Sequence, residues 1–260
     1  MGRIFTGIAA ALLVQLSIVG AGHAEDDAAL RARLLQSMRQ GYAEASPGAP
    51  DLIELLSERF PGDLDALMDT ALAAYKAQQP PAEVKAAVAG TFVAIQARDG
   101  DRILSAPDAE LSAVITAQGD IVRALGQGHE DLCKALVSGG AAMAAPTPKI
   151  GLLFVTRLHR ILTAIADGRD RPVPARVMQD DDYVDFARAA RQGGTDIKTW
   201  SVLAADELPD AKPGEVCRAL DSTYGAALAA KGDLGQRIRA DLSHELLVTD
   251  LDVYRPALEK

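Results

Sequence analysis

Aromatic side chains are scarce in this chain, with five Phe, five Tyr and one Trp, Trp200, in 260 residues. Stacking platforms for nucleobases or sugar rings need such groups, so recognition by stacking is disfavoured from the outset. Basic charge is also outweighed: 27 Lys and Arg face 36 Asp and Glu, a formal net charge of −9. That balance repels phosphate backbones and anionic lipid headgroups, and argues against nucleic acid or membrane as the main partner. Several catalytic signatures are missing. There is no Gly-x-Ser-x-Gly elbow, no glycine-rich phosphate loop, no Cys-x-x-Cys pair, no Cys-x-x-Cys-His haem site and no Glu-Ser dipeptide of the lytic transglycosylase kind. No segment sustains the period-two alternation of a half-buried strand closed by hairpin turns.

Alanine and the helical period fill the space these absences leave. Leu30, Leu34, Leu35, Met38 and Tyr42 mark one face of a first helix over 26–44, and Asp51 caps a short one, LIELLSERF. Pro61-Gly62 ends that helix and Asp63 is the expected cap of the next. Pro81 starts a fourth with the stripe Val84, Val88, Phe92 and Ile95. Ser105 is the expected N-cap of a helix through Leu125, where Gly119 marks a kink or a split. The most apolar helix covers 150–166; its Arg157, His159 and Arg160 make it a core helix rather than a membrane span. Helices follow from Asp180, from Thr195 or Asp196, after Pro213 and after Gly232-Asp233. The expectation is an all-α bundle of about eight to ten helices. It forms one domain over 25–260, with a two-lobed division at Pro146-Thr147-Pro148 as an open alternative.

The amino terminus has the form of a secretory leader. Arg3 precedes an apolar run from Ile4 to Val19, and Gly22-His23-Ala24 places small residues at the −3 and −1 positions for cleavage after Ala24. Residues 1–24 read as a signal peptide, and the mature chain as an exported protein, most simply periplasmic, with no stable membrane insertion after cleavage.

The only two cysteines lie in twinned segments, EDLCKALVSGGAAMAA from Glu130 and EVCRALDSTYGAALAA from Glu215. As helices, both turn their large residues and the cysteine to one side: Leu132, Cys133, Leu136 and Val137 in one, Val216, Cys217, Leu220 and Tyr224 in the other. In an oxidising compartment Cys133 and Cys217 can form a disulfide; the alternative is two buried thiols. The bridge would close a loop of about 84 residues, valued at roughly 4 to 5 kcal/mol by the chain-entropy model.

Candidate chemistry is sparse. His129 and Cys133, at i and i+4 on a helix with Glu130 beside them, have the spacing of two metal ligands, as in HExxH proteases. Cysteine stands where that motif has its second histidine, and a disulfide would remove it. Asp180, Asp181 and Asp182 could gather a divalent cation, but successive carboxylates point in different directions and a helix N-terminus stabilises them without metal. Asp250 and Asp252 are a weaker version of the same idea. Arg157, Arg160, Arg169, Arg171 and Arg176 are the most unusual charge feature of an acidic chain. They are candidates to hold a small anionic ligand or an acidic patch of a protein partner, unless they pair with Asp167, Asp170 and the Asp180 run. The reading is a binding protein of the cell envelope, an interaction, inhibitor or accessory protein with no cofactor and no catalytic residue. Its alternative is a metal-dependent or acid/base envelope hydrolase using His129 and Glu130, with His159 or His244.

Overall fold

The computed structural model describes residues 26–137 and 147–258, with side chains described outside 45, 81–89 and 250–258. The expected leader, the glycine-alanine run that follows Val137, and Pro146 lie outside these residues. Helix α1 spans Asp27–Ala45, and the carboxylate of Asp26 accepts the N–H of Ala28 at 3.4 Å. Its apolar period buries Leu30, Leu34, Met38 and Tyr42. Helix α2 is Leu52–Arg59, capped by Asp51, which accepts the N–H groups of Ile53 and Glu54 at 2.8 and 3.0 Å.

Phe60 ends α2 and begins α3, Pro61–Lys76. The cap expected at Asp63 is therefore not used. Proline lacks the N–H that a first helical position leaves orphaned, so Pro61 opens the helix three residues earlier than a cap at Asp63 would. The carboxylate of Asp63 instead takes a two-pronged bond from Arg98, at 2.7 and 3.0 Å. Helix α4, Pro81–Asp99, runs into a 3-10 turn, Gly100–Ser105, and α5 covers Asp108–Leu125. Ser105 does not cap α5 either. Ala106 is extended ahead of Pro107, as a residue before proline prefers, so the helix starts only at Asp108. Gly119 does not split α5: it is buried, with the Arg123 side chain alongside.

After the turn at Gly128, whose φ of +103° is open to glycine, come α6, Asp131–Val137, and α7, Pro148–Asp170. Thr147 caps α7 by accepting the N–H of Ile150 at 3.2 Å, so Thr147 and Pro148 form a helix start. Helix α8 is Asp182–Gln192 and a 3-10 turn covers Ile197–Leu203. Helices α9, Pro213–Ala229, and α10, Gly232–Leu258, complete an all-α fold. No strand occurs among the described residues.

The buried side chains form two clusters. The first joins α1, α2 and α3 with Phe92, Ile95, Ile103, Leu111 and Val114, and with α7 from Val155 to Ala166. The second joins the rest of α5 (Ile115 to Leu125), the start of α7 (Ile150, Phe154), and residues of α6, α8, α9 and α10. Both α5 and α7 thus serve both clusters. Where they cross, buried Arg157 donates to buried Gln118 at 2.9 Å and lies 5.4 Å from the Phe154 ring centroid. A second close approach is at Gly168, where a β-carbon would stand 1.9 Å from the carbonyl oxygen of Arg102. Only glycine allows α7 to lie on the 3-10 turn this tightly.

Cys133 and Cys217 are bonded, with their Cα atoms 5.2 Å apart, and tie α6 to α9 inside the second cluster. Both are buried, as are Val216, Leu220 and Tyr224 on the same face of α9.

Candidate interaction surface

The disulfide decides the first candidate site. Cys133 has no thiolate to offer a metal, so the expected His129 and Cys133 pair loses its second ligand. His129 lies in the turn into α6, and its backbone N–H is held by the Leu125 carbonyl at 2.9 Å. Among the described residues no three His, Cys, Asp or Glu side chains gather as a metal-binding group.

The remaining histidines have other neighbours. His244, on α10, meets Asp101 of the 3-10 turn at 3.1 Å. His159, on α7, has its Nδ1 buried without a hydrogen-bond partner. Burial pushes its pKa below the ordinary imidazole value and the adjacent Arg160 adds to the effect, while Asp51 opposes it. The bases named for the hydrolase alternative therefore sit in three different neighbourhoods.

The five arginines divide among separate partners. Arg157 is buried against Gln118, whereas Arg160 is exposed. Arg171 donates to Asp167 at 2.5 Å, and the same carboxylate accepts from Arg59 at 2.5 Å. Arg169 donates to Asp170 at 2.7 Å and to the Arg59 carbonyl at 2.7 Å, with its guanidinium 5.1 Å from the Phe60 ring centroid. Hydrogen bonds from Arg169 and then Arg59 hold the Asp170 carboxyl below its usual range. Arg176 donates to the Ala106 carbonyl at 3.0 Å. The pairing expected with Asp167 and Asp170 is thus present, and it fastens α2 to the end of α7. The Asp180 run, by contrast, does not pair with this loop.

Asp182 turns inward instead. Its carboxylate, with only 6% of the side chain exposed, accepts two bonds from Arg237 of α10 at 2.6 and 2.7 Å and one from the N–H of Gln179 at 2.8 Å. The Arg237 bonds hold its pKa low. With Asp182, Phe186 and Ala190 as the inner line of α8, the 100° step per residue leaves Tyr183 and Val184 outside. Tyr183 is 55% exposed and Val184 58%. Val177, in the preceding loop, is 64% exposed. These are the exposed large hydrophobic residues among the described side chains, and they fall within eight positions. The usable signal was the i, i+4, i+8 spacing of Asp182, Phe186 and Ala190, which a carboxylate at its head disguises.

The surface is firmly held. Val173 donates its N–H to the Ser105 carbonyl at 2.9 Å and Arg176 its N–H to the Leu104 carbonyl at 3.1 Å. The Tyr183 hydroxyl donates to Asp241 of α10 at 2.6 Å. Burial of that hydroxyl, its bond to Asp241 and the charge of Glu245 all push the phenol pKa upward.

No protein-family model, curated protein or solved structure matches this chain. Its function has to be read from its own surface and chemistry.

Proposed function

We propose that the protein is exported to the periplasm, loses residues 1–24, and works by binding, as an envelope interaction, inhibitor or accessory protein. The observation that carries this reading is that Val177, Tyr183 and Val184, within eight positions of one another, are the exposed large hydrophobic side chains among the described residues. Exposed apolar side chains gathered in one place mark surfaces that another molecule covers. The leader-like amino terminus supports export, and the disulfide is compatible with an oxidising compartment. No described helix is long and apolar enough to cross a membrane.

Two measurements test the reading. Intact mass of the protein from a periplasmic extract, without reductant, should give a chain beginning at Glu25 with both cysteines refusing alkylation. A photocrosslinking residue placed at exposed positions across the surface, in the protein's own cell, should yield a discrete higher-mass adduct. An uncleaved cytoplasmic chain overturns the export reading, and absence of adducts from every position overturns the binding reading.

A further inference from the structure

We infer that the face formed by Val177, Tyr183 and Val184 docks a basic, amphipathic segment of a protein partner. This rests on the binding reading above and names its surface and the chemistry of its occupant. The three side chains supply the apolar centre, with 55% to 64% of each exposed. Around them acids outnumber bases, and the one base beside Val177, Arg176, turns its guanidinium to the Ala106 carbonyl. Asp180 and Asp181 are exposed between Val177 and Tyr183, and Asp241 and Glu245 of α10 lie on the side where the Tyr183 hydroxyl points. The neighbouring bases are already engaged, Arg237 with Asp182 and Arg188 with Asp185. Among the described residues the ion pairs there take up Asp182 and Asp185, and leave the carboxylates of Asp180, Asp181, Asp241 and Glu245 to the rim.

Charge complementarity selects the occupant. A carboxylate rim repels anionic lipid and nucleic acid, and attracts Lys or Arg flanking an apolar stripe. A second copy of the same face is disfavoured as well. A two-fold interface would bring each carboxylate rim against its own copy, and like charges juxtaposed at an interface are costly. An amphipathic helix with leucines at i, i+3 or i+4 and i+7 and lysines beside them meets both requirements. The surface is also pre-organised. Gln179, Arg237 and Asp241 hold Asp182 and Tyr183, and the loop is pinned to the 3-10 turn, so little chain entropy is lost when a partner arrives.

The test uses the full mature chain and a fluorescein-labelled 14-residue Leu/Lys amphipathic peptide, with its Leu/Glu counterpart as control, read by fluorescence anisotropy. The Leu/Lys peptide should bind and the Leu/Glu peptide should not. Val177→Ser/Val184→Ser and Asp180→Lys/Asp181→Lys should each weaken binding by about tenfold or more. All four side chains are exposed, so both variants should keep the wild-type circular dichroism; Val177→Ser/Val184→Ser should keep the melting temperature too, and Asp180→Lys/Asp181→Lys should lower it slightly by reversing charge at the N-terminus of α8. Asp206→Lys/Glu207→Lys, exposed acids in another turn, should leave the affinity unchanged. Equal weakening by the Asp206/Glu207 variant would mean unspecific attraction to an acidic protein and overturn the proposal. So would binding to phosphatidylglycerol vesicles, or self-association, that Val177→Ser/Val184→Ser abolishes. In-cell adducts obtained from other faces but not from Val184 overturn this surface while leaving the binding reading intact; no adduct from any face overturns both.

Discussion

The two core clusters are held together by different means. Among the described residues the first contains 28 buried side chains and 6 partly buried ones; the second contains 16 buried and 17 partly buried. The first includes Met38, Phe60, Met68 and Phe92, each no more than 2% exposed, and is edged by Arg–Asp pairs between α2 and α7 and between α3 and α4. The second has more of its apolar surface at the margin, and it is the one that carries the disulfide. Buried area drives folding, so a core with a broad half-exposed margin gains less per residue. A crosslink compensates by restricting the unfolded chain rather than by adding contacts. The two halves should therefore fail under different treatments.

Removing the bridge is the largest expected way to break that comparison. Cys133→Ala/Cys217→Ala should lower the unfolding free energy by roughly 4 to 5 kcal/mol, the chain-entropy value for the 84-residue separation. Urea titration measures the loss. Hydrogen exchange should show protection falling first in α6 and α9 while α1 to α3 keep theirs; uniform loss would mean that the clusters are not separately held.

Next in size is the close approach in the first cluster. Gly168→Ala puts a methyl group against the Arg102 backbone carbonyl, an atom with no rotamer to escape into, and should cost about 3 kcal/mol. Gly225→Ala on α9, where nothing lies within 4 Å of the added carbon, should instead stabilise by roughly 0.5 to 1 kcal/mol. A common sign for the two variants would contradict the packing described at Gly168.

The ion pairs come third. Asp167 has 2% of its side chain exposed and accepts from two arginines, so Asp167→Asn should lose about 2 kcal/mol. The Arg171 side chain is 68% exposed, and water screens its share of the bond, so Arg171→Ala should lose less than about 1 kcal/mol. Thermal melts of both variants at low salt compare the two ends of one interaction.

The smallest effects concern pH. The folded-state pKa of His159 is depressed, so the unfolded chain binds more protons there. Its contribution is present above the ordinary imidazole value of about 6.5 and is lost as pH falls through the folded value. Urea midpoints between pH 7 and 5 should decline for the wild type and decline less for His159→Gln. The depressed pKa of Asp182 has the same sign at lower pH. Its contribution is present above about 4 and disappears on further acidification, and Arg237→Met should remove that dependence.

Much of the helical pattern was legible because it depends on neighbours in sequence. The periods of α1 and α9, the cap at Asp51 and the proline at the start of α4 need only residues within a turn or two. The failures at Asp63 and Ser105 were also local, since good capping residues were outranked by prolines beside them. The candidate surface was less legible. The arginines looked like a cluster because they are close in sequence; Arg169 and Arg171 do pair nearby with Asp170 and Asp167, but Arg169, Arg157 and Arg176 also reach α2, α5 and the chain before α5. Tyr183 and Val184 face solvent because Arg237, 55 residues away, draws Asp182 inward, which periodicity within α8 does not reveal.

By itself the sequence determined the all-α class, the acidic surface and which two residues were available to form a disulfide. Composition, the 3.6-residue period and a cysteine count of two suffice for these. Tertiary structure alone decided that α5 and α7 serve both clusters, that Gly168 must be glycine, and that Val177, Tyr183 and Val184 face outward. Each of these depends on which distant backbone or charge a residue meets, and that is set only when the helices pack.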